Sequence, residues 1–104
     1  MGKKEIIKQL KLFKKKASKE VAIDRLIFFG SRAHGKPTKD SDIDLIVVSS
    51  SFNRKKSWKR GINLRKYWDL DFPVDFICYT PKEFEELSRL ATIVRTARKE
   101  GIII

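Results

Sequence analysis

The sequence predicts a small α/β domain, a mixed β-sheet with helices packed on one face, and three observations carry that prediction. Three short apolar, β-rich runs cover residues 26–29, 43–48 and 73–79. An amphipathic helical pattern precedes them and a helix-start signature follows them. Polar segments rich in turn or helix formers separate the runs, so strands and helices alternate.

At 104 residues the chain has room for one domain, 1–104. Within it, residues 1–20 read as a basic amphipathic helix, 24–79 as the core carrying the three β-rich runs, and 80–104 as a C-terminal helix and tail. No apolar stretch reaches the length of a membrane span, and the N-terminus lacks the apolar centre of a signal peptide. The expectation is a soluble, cytoplasmic protein without a membrane partner. The single Cys78 excludes an internal disulfide and a cysteine metal site, and reads as a small buried strand residue.

In the first element, Ile6, Ile7, Leu10, Phe13 and Ala17 recur at helical spacing. Its eight lysines read first as a solvated face and second as a nucleic-acid or membrane-surface contact. The first strand follows over residues 24–29 and ends at Gly30-Ser31. Residues 35–41 carry the Gly, Pro and Asp chemistry of a mobile loop beside a ligand, in which Lys36 and Lys39 could reach phosphates. His34, the only histidine, reads as structural or substrate-adjacent, because no second histidine could share a metal.

The second strand opens with two aspartates. Side chains alternate along a strand, so Asp42 and Asp44 point the same way, roughly 6.5–7 Å apart. Two unpaired carboxylates on one face repel each other, and a hard cation such as Mg²⁺ relieves that repulsion. Asp75, in the third β-rich run, would reach the same face from a neighbouring strand, and three carboxylates could hold two metals. Gly30-Ser31, where a strand turns into a short helix, offers backbone N–H groups and a hydroxyl to a phosphate, and Arg32 adds a guanidinium fork. A metal site beside an anion site points to a nucleoside triphosphate.

Residues 53–68 read as a basic helix weakened by Gly61. Trp58 and Trp68 read first as packing residues. Seven basic residues between Arg54 and Lys66 keep a nucleic-acid groove open as the alternative. Thr80, Pro81 and Glu83 form a capping box that starts the last helix, whose buried stripe is Phe84, Leu87, Leu90, Ala91 and Val94. Gly101 ends that helix. Ile102 to Ile104 read as a short edge strand or a docking tail, since three bare isoleucines would invite aggregation.

Gly30-Ser31, ten intervening residues and then Asp42-Ile43-Asp44, with Asp75 in Val-Asp-Phe, resemble the signature of the DNA polymerase beta superfamily of nucleotidyltransferases. The wording Gly-Ser-Arg-Ala-x-Gly with Ser-Asp-Ile-Asp-Leu is most similar to the minimal nucleotidyltransferases, many of which are antitoxins paired with HEPN ribonuclease toxins. The sequence departs from that pattern at His34, where an arginine is usual.

The resemblance implies a palm-like fold and metal-dependent transfer of AMP from ATP to a tyrosine hydroxyl on a HEPN toxin. Two Mg²⁺ ions, or Mn²⁺ in their place, would be held by Asp42, Asp44 and Asp75. Gly30, Ser31 and Arg32 would bind the nucleotide. Two alternatives stand beside it: an antitoxin that binds nucleotide and acts by occlusion, and a transferase subunit acting on nucleic acid or a small molecule. The net charge of +11 suits an acidic partner surface or RNA, and does not choose between them.

Overall fold

The architecture is described from a computed structural model covering residues 2–38 and 41–104. Helix α1 (Lys3–Ala17) leads into strand β1 (Ile23–Phe29), the single turn α2 (Ser31–His34) and strand β2 (Ile43–Ser49). Two 3-10 turns and the short helix α3 (Ile62–Arg65) cross to strand β3 (Val74–Tyr79). Helices α4 (Pro81–Ser88) and α5 (Ile93–Glu100) and the two-residue strand β4 (Ile102–Ile103) complete the chain.

The four strands form one mixed sheet in the order β3-β2-β1-β4. β1 pairs antiparallel with both β2 and β4, and β2 pairs parallel with β3. β1 and β2 are the central strands. They carry near-continuous apolar runs because both of their faces are covered.

The helical layers correct the one-face expectation. Leu26, Phe28, Leu45 and Val47 pack with Ile6, Leu10, Phe13 and Ala17 of α1. On the opposite face Ile27, Phe29, Ile46 and Val48 pack with Phe84 of α4 and with Val94 and Ala97 of α5. Alternation along each central strand therefore feeds two cores.

Two helical expectations are also corrected. Residues 53–68 form short turns and one four-residue helix in place of a continuous helix, Gly61 preceding its first residue. Trp68 serves packing: its ring meets Phe13 and Phe76 edge-on, with centroids 5.4 and 5.8 Å away, and its Nε1 donates to Phe72 O. Trp58 stands 70% exposed, with the Lys59 ammonium over its ring.

The last helix is split. The Thr80–Glu83 capping box starts α4 as expected. Thr92 then starts a second helix, its hydroxyl accepting from Arg95 N–H and donating to Leu87 O. As a result Leu90 is exposed while Val94 remains in the core. Gly101 ends α5 at a close approach, where a Cβ would overlap Ala97 O and the Ile27 side chain. The tail is the expected edge strand: Ile102 lies opposite Phe28, and Ile104 N–H donates to Leu26 O.

Arg60 is a buried cation that holds the crossing to the sheet. Its guanidinium donates to Lys55 O, to Cys78 O on β3 and to the Glu83 carboxylate at the start of α4. That carboxylate is held below its usual range, chiefly by the hydrogen bond from Arg60. Cys78 is partly buried, and burial pushes its thiol up to about 11, the behaviour of an inert packing residue. Among the described residues no helix is long and apolar enough to cross a membrane.

Candidate active site

The site forms where β1 ends and β2 and β3 begin. Antiparallel pairing brings the end of β1 to the start of β2, with Phe29 opposite Asp44. Parallel pairing sets Asp75 opposite Asp44. Asp44 alternates with Leu45 and so shares the face of Ile46 and Val48, the side covered by α4 and α5. Asp42 lies just before the strand.

The carboxylates feel one another. Asp44 is half-buried, and its pKa is raised first by burial and then by the negative charges of Asp75 and Asp42. Asp75 itself is exposed, open to whatever approaches the β3 side.

Gly30 fits tightly beside this cluster. Its backbone has φ 85° and ψ −167°, a conformation open essentially to glycine alone, and a Cβ there would overlap the Asp44 carboxylate. The glycine thus turns β1 into α2 and leaves room for a strand carboxylate against the backbone. Ser31 opens α2 and is exposed.

Arg32 is placed differently from a free phosphate ligand. Its Nε donates to Ser41 O at 2.7 Å, its Nη2 to Thr38 O at 3.1 Å, and its guanidinium lies 4.4 Å from the Phe72 ring centroid. It ties the loop that delivers Asp42. Lys36 is exposed on that loop, and Lys39 falls outside the described residues. His34 is exposed at the end of α2, bordering cavities on both sides of that turn.

Among the described residues, no three His, Cys, Asp or Glu side chains come close enough to enclose an ion. The donor set still fits Mg²⁺. That ion is commonly held by one or two carboxylates, with waters and substrate phosphates completing its octahedron. The mutual repulsion at Asp44 is what a hard cation would relieve.

The family model described as "Nucleotidyltransferase domain" matches residues 6–104. The chain belongs to the nucleotidyltransferase domain family. Nucleotidyl transfer is the chemistry of this family, whose members generally use a divalent metal and a nucleoside triphosphate. The fold is also similar to the crystal structure of a protein from Sulfolobus solfataricus provisionally named a nucleotidyltransferase. The TM-score is 0.68 at 19% identity, over 97% of this chain and 80% of that one. No functionally curated protein matches this nucleotidyltransferase sequence.

Proposed function

We propose that this nucleotidyltransferase transfers AMP from ATP to a hydroxyl on a partner protein, as antitoxin to a HEPN ribonuclease toxin. The observation that carries the reading of the site is the register that sets Asp75 opposite Asp44, with Gly30 packed against the same carboxylate. Antitoxin and toxin partner rest on the resemblance of Gly30-Ser31-Arg32-Ala33-x-Gly35 and Ser41-Asp42-Ile43-Asp44-Leu45 to the minimal nucleotidyltransferases.

In this reading Asp42, Asp44 and Asp75 hold the divalent cations. When bound, these would neutralise the triphosphate and acidify the attacking hydroxyl. Gly30 N–H, Ser31 N–H and the Ser31 hydroxyl hold the outer phosphates. Arg32 holds the loop between them and Asp42. Asp75, the exposed carboxylate, takes the proton of the incoming hydroxyl. The oxygen then bonds to the α-phosphorus, the bond to the bridging oxygen breaks, and pyrophosphate leaves with that electron pair.

The test is incubation of the purified protein with its genomic neighbour, ATP and Mg²⁺, followed by intact-mass measurement of both chains. A mass gain of one AMP or more on the neighbour, lost in Asp44→Asn, supports the proposal. A stable complex without any mass change sinks transfer and leaves occlusion as the mode of action.

A further inference from the structure

A cavity of about 350 Å³ opens between the end of β1, α2 and α5, within the range of small-molecule sites. Its wall is mostly apolar, made by Phe29, Ile93 and Ala97, and Asp44 and Gly30 also line it. Thr96, Glu100 and His34 supply its polar side chains apart from Asp44.

The sheet order fixes which side of the site this is. Asp75 lies on β3, on one side of Asp44, whereas Phe29 ends β1 on the other, with Gly30 directly after it. The cavity is therefore across Asp44 from the carboxylate that faces an incoming hydroxyl, and next to the backbone suited to phosphates. An apolar wall suits a flat, uncharged ring better than it suits a triphosphate.

Helix α5 is built with two faces. Val94 and Ala97 enter the core. Ile93, Thr96 and Glu100, at helical spacing, border the cavity and are exposed, Ile93 to 60%. Glu100 is oddly placed for stability alone. It is the last residue of α5, where the helix dipole disfavours an anion. Its carboxylate has no hydrogen bond or ion pair with a described residue, although the chain carries a net charge of +11 and Arg95, Arg98 and Lys99 sit on the same helix. Functional sites are where such local rules are commonly broken.

The geometry points to this cavity as the nucleoside pocket, with the base against Phe29 and Ile93 and its exocyclic amine donating to Glu100. An ionised carboxylate only accepts hydrogen bonds. Adenine, cytosine and guanine carry an exocyclic amine, while uracil presents a carbonyl in its place and would set two acceptors face to face. The inference rests on the proposed nucleotidyl-transfer site and adds to it a base preference set by α5.

Calorimetric titration of the full chain with Mg²⁺ and ATP, UTP or pyrophosphate tests this without an acceptor. The expected result is ATP binding about tenfold tighter than UTP. Glu100→Gln, whose amide both donates and accepts, brings the two toward parity and leaves pyrophosphate unchanged. Ile93→Ala weakens both nucleotides and also leaves pyrophosphate unchanged. Both side chains are exposed, so neither variant should lower the melting temperature, and Glu100→Gln, which removes an anion from the helix C-terminus, should raise it slightly if it changes it.

Equal ATP and UTP affinity in the wild type, or nucleotide affinities untouched by both variants, overturns the pocket while pyrophosphate binding keeps the transfer site standing. Binding of neither nucleotide nor pyrophosphate overturns both.

Discussion

The Cα of Gly30 stands so close to the Asp44 carboxylate that a side chain at residue 30 and the carboxylate cannot share the space. Replacing Gly30 by Ala therefore strains a backbone at φ 85° and displaces Asp44 as well. The expected cost is about 1–3 kcal/mol of stability. Transfer should fall further than that loss of folded protein explains, and comparing urea unfolding with turnover at saturating ATP checks it.

Asp44 gives a stability prediction with a definite sign. Its pKa is raised in the folded state by burial, Asp75 and Asp42, so the folded chain binds its proton more readily than the unfolded chain does. The contribution of Asp44 to metal-free stability should then fall as pH rises through the interval between the ordinary carboxylate value and the raised one. Asp44→Asn should remove that slope and raise the melting temperature at neutral pH by a few degrees. The same change should lower transfer on the order of a hundredfold or more. Thermal unfolding at pH 4 and pH 7, with and without Mg²⁺, checks the sign: Mg²⁺ should stabilise the wild type at pH 7 and leave the variant nearly unmoved.

The Arg60–Glu83 pair predicts the opposite slope. Glu83 is held below its usual range chiefly by Arg60, so its contribution is present above the ordinary carboxylate value and is lost as acid protonates it in the fold. Arg60→Met removes the donor to Cys78 O and leaves the Glu83 carboxylate with only the Thr80 N–H, and should cost about 2–3 kcal/mol at neutral pH. The stability gap between wild type and Glu83→Gln should close in acid. Denaturant titrations at pH 7 and pH 3 would show it.

Arg32 should act through the loop. Lysine cannot reproduce a fork that reaches Ser41 O and Thr38 O while stacking on Phe72. Arg32→Lys is expected to lose about 1–2 kcal/mol of stability. Amide hydrogen exchange should rise at Thr38 and Ser41. Unchanged exchange there, with only the nucleotide KM raised, would return Arg32 to the phosphates.

The strands and the face shared by Asp44 and Asp75 were legible because period-two alternation and the spacing from Gly30-Ser31 are local, strong signals. The capping box at Thr80 was legible for the same reason. The break before Thr92 was not, since Leu87, Leu90, Ala91 and Val94 keep a helical stripe straight across it. The signal lay in Thr92 itself, a residue that caps a helix as readily as it sits inside one. The second helical layer escaped because unbroken apolar runs such as Leu45 to Val48, which mark a strand buried on both faces, do not say what covers each face. Arg32 and Glu100 owe their settings to segments distant in the chain or to a cavity, and periodicity carries neither.

The two sides of the site also differ in how far the chain must travel to make them. β1 and β2 are joined through residues 30–42 and pair antiparallel, whereas β2 and β3 are joined through residues 50–73 and pair parallel. Closing the shorter connection costs less chain entropy and yields the more local contacts. During folding the hairpin that seats Gly30 against Asp44 should thus come first, and the strand bearing Asp75 should dock onto a template already formed. Pulse-labelled exchange would then find Phe28 and Ile46 protected ahead of Ile77, so that the chain assembles its phosphate side before it acquires the carboxylate that faces an acceptor.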